Sequence, residues 1–277
     1  MKNKISVVLA TLGEKNIFEI VKILNQSDIE IEIIIIIPQR KYYKIKELKK
    51  NKNIIIIQTD FFSQPKQRIE GFKIAKYDFV LQLDSDVKIN KFFLKEILDF
   101  ISLKNSNCAV SLHPIIEHKF KSSIYRNIIN FIFYYFIKRE KNFNNWDSWF
   151  TNNLFRNNNG RVKLLTGACI LHYKKNLILD DFYNYKYKAY GEDILHSCLL
   201  HNKKVSFYFK RSNNIKFHLS GGYVFKNIIE LNFFIKRMSV IYFKIFLLTN
   251  GNLFIFSTWF LFWYLNIYIN YFLKKIL

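Results

Sequence analysis

The chain has 277 residues, of which 50% are hydrophobic, including 29 Phe and 17 Tyr, so it can bury the core of one large domain and carry an appendage. Its formal net charge of +22 points to an anionic membrane surface or a nucleic acid as partner. Because the lysines are spread along the chain, a compositional bias toward Lys, Asn, Ile, Phe and Tyr explains the charge equally well, and we expect no nucleic-acid partner. Three widely separated cysteines with no Cys-x-x-Cys pair argue against a zinc site and a disulfide framework.

The first third of the chain alternates between two hydrophobic patterns. Apolar runs predict strands at 5–10, 31–37, 54–57 and 79–83, and the sequence between them predicts helices at 14–26, 42–50 and 67–75. Because the strands are apolar throughout and alternate with helices, they are typical of a parallel sheet covered by helices on both faces. The chain carries neither a glycine-rich dinucleotide fingerprint nor a P-loop, so it needs another device for holding phosphates.

The later elements are less regular. We predict a helix at 92–101, a strand at 108–112, a helix at 124–137, a loop at 142–160, strand-like character at 162–173, a helix at 191–201 and a strand at 204–209. The helix at 124–137 is too short to span a bilayer, and it could lie in a membrane interface or be buried.

Two carboxylates, Asp84 and Asp86, directly follow the fourth predicted strand. In an open α/β sheet, ligands bind beyond the carboxyl ends of the strands. Two carboxylates one residue apart can share Mg²⁺ or Mn²⁺, and that ion can in turn hold a diphosphate. Taken alone, such a pair more often caps a helix, here the one beginning near Asn90, or closes a turn.

A second acidic pair, Glu192 and Asp193, opens the helix predicted after Gly191. An acidic pair at a helix start is common for structural reasons alone. The helix dipole would also lower the pKa of Asp193 and favour the charged form that accepts a proton. His218, near the end of a later strand, fits a structural histidine and a metal ligand equally well.

Taken in order, these segments resemble the inverting glycosyltransferases of family 2, which have the GT-A fold. The resemblance covers about residues 5–220 and rests on Ile5–Leu24, Gln67–Gly71, Leu83–Asp86, Gly167, Gly191–Asp193 and His218. It implies an α/β fold of the nucleotide-diphospho-sugar transferase type, with a Rossmann-type, mostly parallel sheet and helices on both faces. The family usually has an acid after the second strand, and this chain has none at Pro38–Arg40, which leaves the nucleotide open.

The resemblance also implies roles for individual residues in a metal-dependent transferase of the hexosyltransferase type. The donor would be a nucleotide-diphosphate sugar and the cofactor Mn²⁺ or Mg²⁺. The implied roles are Ala10 and Thr11 beside the nucleotide base, Arg68 at the diphosphate or base, Asp84 at the ribose or a metal-bound water, Asp86 and His218 as metal ligands, Gly167 on the acceptor side, and Asp193, or less readily Glu192, as general base.

The C-terminal segment has a different composition from the rest. Residues 226–246 are amphipathic and basic, and residues 253–273 contain no charged side chain. The uncharged stretch is long enough to span a bilayer, but its aromatic and Asn residues make a helix or hairpin in the membrane plane a serious alternative. We therefore predict a catalytic domain at 1–222 and hydrophobic, membrane-associating helices at 223–277.

The leading functional hypothesis is an inverting, metal-dependent glycosyltransferase at the cytoplasmic face of the inner membrane. Nucleotide sugars are cytosolic, and the acceptor would be a saccharide, lipid-linked, in surface polysaccharide biosynthesis. Two alternatives remain open: a nucleotidyltransferase on the same fold, which the absence of a glycine-rich N-terminal loop disfavours, and a non-catalytic basic protein that binds membranes or nucleic acid.

Overall fold

The computed structural model describes residues 4–114, 160–162, 165, 167–183, 191–217, 225, 227–248 and 253–276. These residues belong to two compact units, one containing 4–114 and the described residues from 160 to 217, and the other containing 225–276. Three predictions lie outside the described residues: the helix at 124–137, the loop at 142–160 except for Gly160, and the position of His218. The domain boundary after residue 222 stays a prediction.

The first unit is built on strands that follow the predicted apolar runs. Its strands are β1 (Lys4–Ala10), β2 (Glu30–Pro38), β3 (Ile54–Thr59), β4 (Phe79–Asp84), β5 (Lys88–Ile89), β6 (Cys108–Pro114), β7 (Gly160–Val162), β8 (Cys169–Tyr173), β9 (Ser206–Ser212) and β10 (Ile215–Lys216). Within the described residues, eight of them form one sheet in the order β3-β2-β1-β4-β8-β6-β9-β7, and β5 pairs with β10. β1 pairs in parallel with β2 and β4, whereas β8 runs antiparallel to β4 and β6.

Helices pack on both faces of this sheet, as predicted. They are α1 (Asn16–Leu24), α2 (Gln64–Ile74), α3 (Phe93–Ser102) and α4 (Glu192–Asn202). Val7 and its neighbours on one face pack in the same core as Ile17 of α1 and Phe93 of α3. Val8, pointing to the other face, packs in a core with Phe72 of α2. The strands are apolar throughout because both faces are buried, and the mostly parallel α/β sheet is confirmed.

Two local predictions were wrong. Residues 42–50 do not form one helix, because the chain makes two 3₁₀ helices instead, Gln39–Lys44 and Lys46–Lys50. Only Leu48 is buried within them, which is too little apolar surface to hold a longer α-helix against the sheet. The strand-like stretch at 162–173 is divided between β7 and β8, which pair with different strands.

The second unit contains two C-terminal helices close to the predicted hydrophobic segments. They are α5 (Ile228–Leu248) and α6 (Leu253–Ile276), and they pack against each other. In the described part of the chain, no helix combines the length and the apolar character that crossing a membrane requires.

Candidate active site

The carboxyl ends of β1 and β4 lie side by side. Ala10 at the end of β1 is in register with Asp84 at the end of β4. Thr11 follows directly, and its backbone N–H donates to the carbonyl of Ile36 in β2 at 3.0 Å. Its buried hydroxyl donates to Glu14 Oε2 at 2.5 Å and accepts the N–H of Gly13 at 2.9 Å, so it is used within the turn. Ala10 and Thr11 therefore lie beside the first Asp of the Asp-x-Asp sequence, and their place beside a nucleotide base stays a prediction.

Two side chains of α2 donate hydrogen bonds to Asp84. Its Oδ1 accepts from Arg68 Nη2 at 2.5 Å and from Gln64 Nε2 at 3.0 Å. Burial raises the pKa of the Asp84 carboxyl, and the positive charge of Arg68 opposes that rise without cancelling it. The Asp84 side chain is thus fixed in orientation at the strand end, and its Oδ2 accepts no hydrogen bond from the described residues.

Arg68 joins the two acidic pairs that the sequence singled out. Its Nη1 lies 3.6 Å from Glu192 Oε1 while its Nη2 binds Asp84, and only 6% of the Arg68 side chain is exposed. Burial disfavours the charged guanidinium, but Asp84, Glu192 and Asp193 outweigh that effect and raise the pKa of Arg68. The predicted contact of Arg68 with the donor stays a prediction, because in this structure its guanidinium faces protein carboxylates.

The Glu192–Asp193 pair occupies the first turn of α4. The residue before the helix, Gly191, has φ = 68°, a left-handed conformation that glycine adopts without steric cost. Burial, followed by the charge of Asp193, raises the pKa of Glu192 to about 7. Burial also raises the pKa of Asp193, although hydrogen bonds from the backbone N–H groups of Ile194 (2.8 Å) and Gly167 oppose the rise. The sequence-based expectation of a lowered pKa for Asp193 was therefore wrong, because burial outweighs the helix terminus.

Gly167 lies where the two acidic pairs and Arg68 come together. A Cβ added there would lie 3.3 Å from Arg68 Nη1 and 3.4 Å from Asp193 Cβ. The carbonyl of Gly167 accepts a hydrogen bond from Gln82 Nε2. The absence of a side chain thus lets Gly167 pack directly on Arg68 and Asp193.

Behind this arrangement lies a small cavity of about 10 Å³ between α2 and α4, lined in part by Arg68, Glu192 and His196. His196 stacks on Phe182, and its ring lies 5.5 Å from that of His172. Both histidines are buried, which lowers their pKa values and keeps the rings neutral. They are core residues behind the site.

Asp86 differs from the other acids because it is exposed. Its carboxylate makes no hydrogen bond or ion pair with the described residues, so its oxygens are available as the hard ligands that Mg²⁺ and Mn²⁺ prefer. In the part of the chain that the structure describes, no three His, Cys, Asp or Glu side chains form a group that could hold a metal ion. Asp84 and Asp86 therefore fit an ion whose remaining ligands come from a bound diphosphate and water.

Sequence reasoning missed the residues that support these acids. Gln64 binds Asp84, Gln82 binds Gly167, and Glu14 and Asn16 bind the Asp-x-Asp loop. These residues lie 20 to 85 positions from their partners along the chain. They meet only because the fold brings them together, so no local pattern could have found them.

The site combines the exposed carboxylate of Asp86 at a strand end with the buried acidic pair Glu192 and Asp193, whose pKa values are raised. Arg68 pairs with Asp84, two residues before Asp86, and lies 3.6 Å from Glu192 of the acidic pair, so its charge acts on both ends of the site. Such an arrangement can bind a cation and a phosphate group at Asp86 and take a proton from a hydroxyl at Glu192 or Asp193.

Comparison with solved structures supports the fold. S. aureus TarS 1–349 in complex with UDP-GlcNAc is 21% identical, with a TM-score of 0.54, over 97% of this chain and 73% of that chain. S. aureus TarS 1–349 is 18% identical, with a TM-score of 0.53, over 97% and 72% of the two chains. A longer form of S. aureus TarS is 18% identical, with a TM-score of 0.51, over 88% and 40%. At these identities the likeness concerns the fold alone.

At the level of sequence, no curated protein matches the chain. The sequence profile of glycosyl transferase family 2 matches residues 6–159, more than half of the chain. That range contains the β1 turn, Arg68, Asp84 and Asp86, which carry the first part of the sequence resemblance, whereas Gly167, Gly191–Asp193 and His218 lie beyond it. The chain therefore belongs to glycosyltransferase family 2 and is a glycosyltransferase with the GT-A fold.

Proposed function

We propose that this enzyme transfers a sugar from a nucleotide-diphosphate sugar to a saccharide hydroxyl, with inversion at the sugar carbon. The observation that carries the proposal is the buried Arg68, whose guanidinium links the Asp-x-Asp end of β4 to the acidic start of α4. The two acidic pairs therefore meet at one edge of the sheet, which supports the proposal that one binds a diphosphate and the other accepts a proton. The complex of S. aureus TarS 1–349 with UDP-GlcNAc, on a similar fold, makes a UDP-sugar the first donor to test.

On the donor side, Asp86 is the residue that would bind the metal, with Asp84 beside it. A bound Mn²⁺ or Mg²⁺ would neutralise the charge that develops on the leaving diphosphate. Asp84 contributes orientation, because Gln64 and Arg68 fix one of its oxygens. His218 stays a candidate for the same shell from the sequence analysis.

On the acceptor side, Asp193 is the proposed general base. The backbone N–H groups of Ile194 and Gly167 hold its carboxylate in a fixed orientation, whereas Glu192 is drawn toward Arg68. The acceptor hydroxyl would transfer its proton to Asp193 as its oxygen forms a bond to the sugar carbon. The bond from that carbon to the diphosphate oxygen breaks in the same step, and the electron pair leaves with the diphosphate. Attack opposite the leaving group inverts the anomeric centre.

The test begins with binding. UDP, GDP and dTDP are titrated into the full chain with Mn²⁺ or with EDTA, and again into Asp86→Asn. We expect one nucleotide to bind in a Mn²⁺-dependent way and to lose that binding in the variant. A folded wild-type protein that binds none of them would refute the donor assignment.

Turnover of the corresponding nucleotide sugars then separates the two candidate bases. Asp193→Asn should lower kcat by at least about 100-fold, as loss of a general base does, while leaving nucleotide binding intact. Asp99→Asn, which changes an exposed acid on α3, is the matched control. Wild-type turnover in Asp193→Asn combined with loss in Glu192→Gln would transfer the role to Glu192.

We further propose that α5 and α6 lie on the anionic surface of the inner membrane, at its cytoplasmic face, and that the acceptor is lipid-linked. Exposed apolar residues recur along one face of α5: Ile229, Phe233, Val240, Phe243 and Leu247. A second exposed set lies on α6, with Leu261, Leu265 and Phe272. The Tyr268 hydroxyl donates to Asn232 Oδ1, which joins the exposed faces of the two helices.

The charges on α5 suit the same partner. Lys236 is exposed within the apolar stripe, and Arg237 and Lys244 flank it. An apolar stripe with basic residues beside it favours a helix lying in the plane of an anionic bilayer.

Co-sedimentation with vesicles tests this docking. We expect binding to vesicles containing phosphatidylglycerol, weaker binding to pure phosphatidylcholine, and loss of binding in Phe233→Ser/Phe243→Ser. Leu103→Ser, which changes an exposed leucine of the first unit, is the control. Unchanged vesicle binding in the double variant, or a dimer in sedimentation equilibrium that the double variant abolishes, would refute the membrane assignment.

A further inference from the structure

The exposed Asp86 has an unusual support. Its side chain has no partner among the described residues, yet the residues on both sides of it are anchored to the β1–α1 turn. Asn16, the first residue of α1, donates from Nδ2 to the carbonyl of Ser85 at 3.1 Å and to the carbonyl of Val87 at 3.0 Å. Both bonds are made to the backbone that flanks Asp86, so they restrain its position without using its carboxylate.

Glu14 anchors the same loop through a side chain. Its Oε2 accepts from the Ser85 hydroxyl at 2.8 Å, from the Thr11 hydroxyl at 2.5 Å and from the Leu12 N–H at 3.1 Å. Burial raises the pKa of Glu14, but these hydrogen bonds outweigh it, and the net pKa is lowered. Glu14 is therefore ionised at neutral pH, and bonds to a charged acceptor are stronger than bonds between neutral groups.

The anchoring residues Glu14 and Asn16 adjoin buried parts of the fold. Asn16 is followed by Ile17 and Ile20, which are buried against the sheet, and Val87 is also buried. Thr11 follows β1, the strand next to β4. The loop from Asp84 to Val87 is thus tied to the core on one side by α2 and on the other by the β1–α1 turn.

We propose that Glu14 and Asn16 are positioning residues that hold the Asp84–Val87 loop in the conformation in which Asp86 meets the donor. The inference rests on the proposed donor role of Asp86. An exposed carboxylate with no partner of its own can be placed accurately only through its backbone, and supporting residues of this kind keep a binding group in its productive geometry. Loss of either anchor should leave Asp86 present but poorly placed.

The test measures Mn²⁺–UDP binding by calorimetry and by Mn²⁺ electron paramagnetic resonance, without turnover. Asn16→Ala and Glu14→Gln should each weaken binding by about tenfold or more, the range seen when residues behind a metal ligand are removed. Asn16→Asp keeps the size of the side chain but cannot donate, so it should behave like Asn16→Ala. A rise in the KM for donor that exceeds the fall in kcat should accompany each change.

Matched controls separate positioning from general loss of stability. Asn107→Ala removes a similar bond, from Nδ2 to the carbonyl of Lys204 at 2.9 Å, away from β4. Glu96→Gln removes the charge of another carboxylate that accepts several side-chain bonds. Both should change the melting temperature as the test variants do and leave Mn²⁺–UDP binding unchanged.

Asp86→Asn separates the positioning role of Glu14 and Asn16 from the donor-binding role of Asp86. Wild-type binding in Asn16→Ala, Asn16→Asp and Glu14→Gln, with loss in Asp86→Asn, would overturn the positioning role and keep the donor site. Wild-type binding in Asp86→Asn would overturn the donor site itself and the inference with it.

Discussion

Replacing Arg68 with methionine should destabilise the protein, and by an amount that depends on pH. Arg68 is buried and makes the 2.5 Å ion pair to Asp84 and the 3.6 Å contact to Glu192. Methionine keeps much of the apolar stem and removes the charge. Breaking a buried pair by deleting one partner typically costs about 3–5 kcal/mol, because it leaves the other charge uncompensated.

The pH dependence follows from the acids that remain. The charge of Arg68 lowers the pKa values of Asp84, Glu192 and Asp193, so its removal raises all three further above their unfolded values. An acid with a raised folded pKa stabilises the fold below its unfolded pKa, and that contribution is lost as pH rises through the folded pKa. We therefore expect the full loss near pH 8, and a clearly smaller one near pH 5, where the acids take up protons.

Urea unfolding followed by circular dichroism at the two pH values measures this. A loss of that size corresponds to a fall in melting temperature of about 10 °C for a protein of this length. Arg161→Met is the control, because Arg161 is exposed and its hydrogen bond to a described residue is the 3.4 Å one to Ser206. It should change the free energy of unfolding by less than about 0.5 kcal/mol at both pH values. Equal destabilisation of Arg68→Met at pH 5 and pH 8 would refute the electrostatic reasoning.

Three further substitutions test single features. Gly71→Ala should lower the free energy of unfolding by about 1–3 kcal/mol in calorimetry, because the added Cβ would lie 2.5 Å from Val8 Cγ1 and 2.6 Å from Ile36 Cδ1. Gly191→Ala should cost about 1–2 kcal/mol in thermal melts and reduce kcat, because alanine disfavours the φ of 68° that starts α4. The wild type should lose stability as pH rises through about 7, because the folded pKa of Glu192 lies above its unfolded value. Glu192→Gln should abolish this pH dependence, which thermal melts from pH 5.5 to 8.5 measure.

Each of these has a result that would contradict it. Gly160→Ala is the control for the first, since no atom of the described residues lies within 4 Å of a Cβ placed there. Equal stability of the two alanine variants would contradict the packing argument. Wild-type kcat in Gly191→Ala would show that the start of α4 does not place the acidic pair. The same pH slope in Glu192→Gln and in the wild type would mean that another group titrates.

The elements nearest the site were predictable because their signals are local. β1, β2 and β4 are apolar runs buried on both faces, and a strand that is apolar throughout can be recognised without its neighbours. The helix opening at Glu192 follows a glycine and begins with two acids, which is also a local signal. The prediction of one helix at 42–50 was wrong because the charged residues of this segment are compatible with either helix type, and packing on the sheet decided between them.

The pKa of Asp193 shows the limit of local reasoning about the site. A helix start favours the charged acid, and that expectation needs only the sequence. Burial between Gly167 and Arg68 reverses the direction, and burial is a property of the assembled fold.

The alternation of strands and helices, the two acidic pairs and their order along the chain depend on residue type and short spacing, so they could be predicted before the fold was known. Which groups meet depends on how the elements pack. Asn16 and Ser85 are 69 residues apart, and they bond because β1 and β4 are neighbours in the sheet. Arg68 likewise contacts both acidic pairs because α2 lies next to the end of β4 and the start of α4. Hydrogen bonds and ion pairs depend on distance in space and not on distance along the chain.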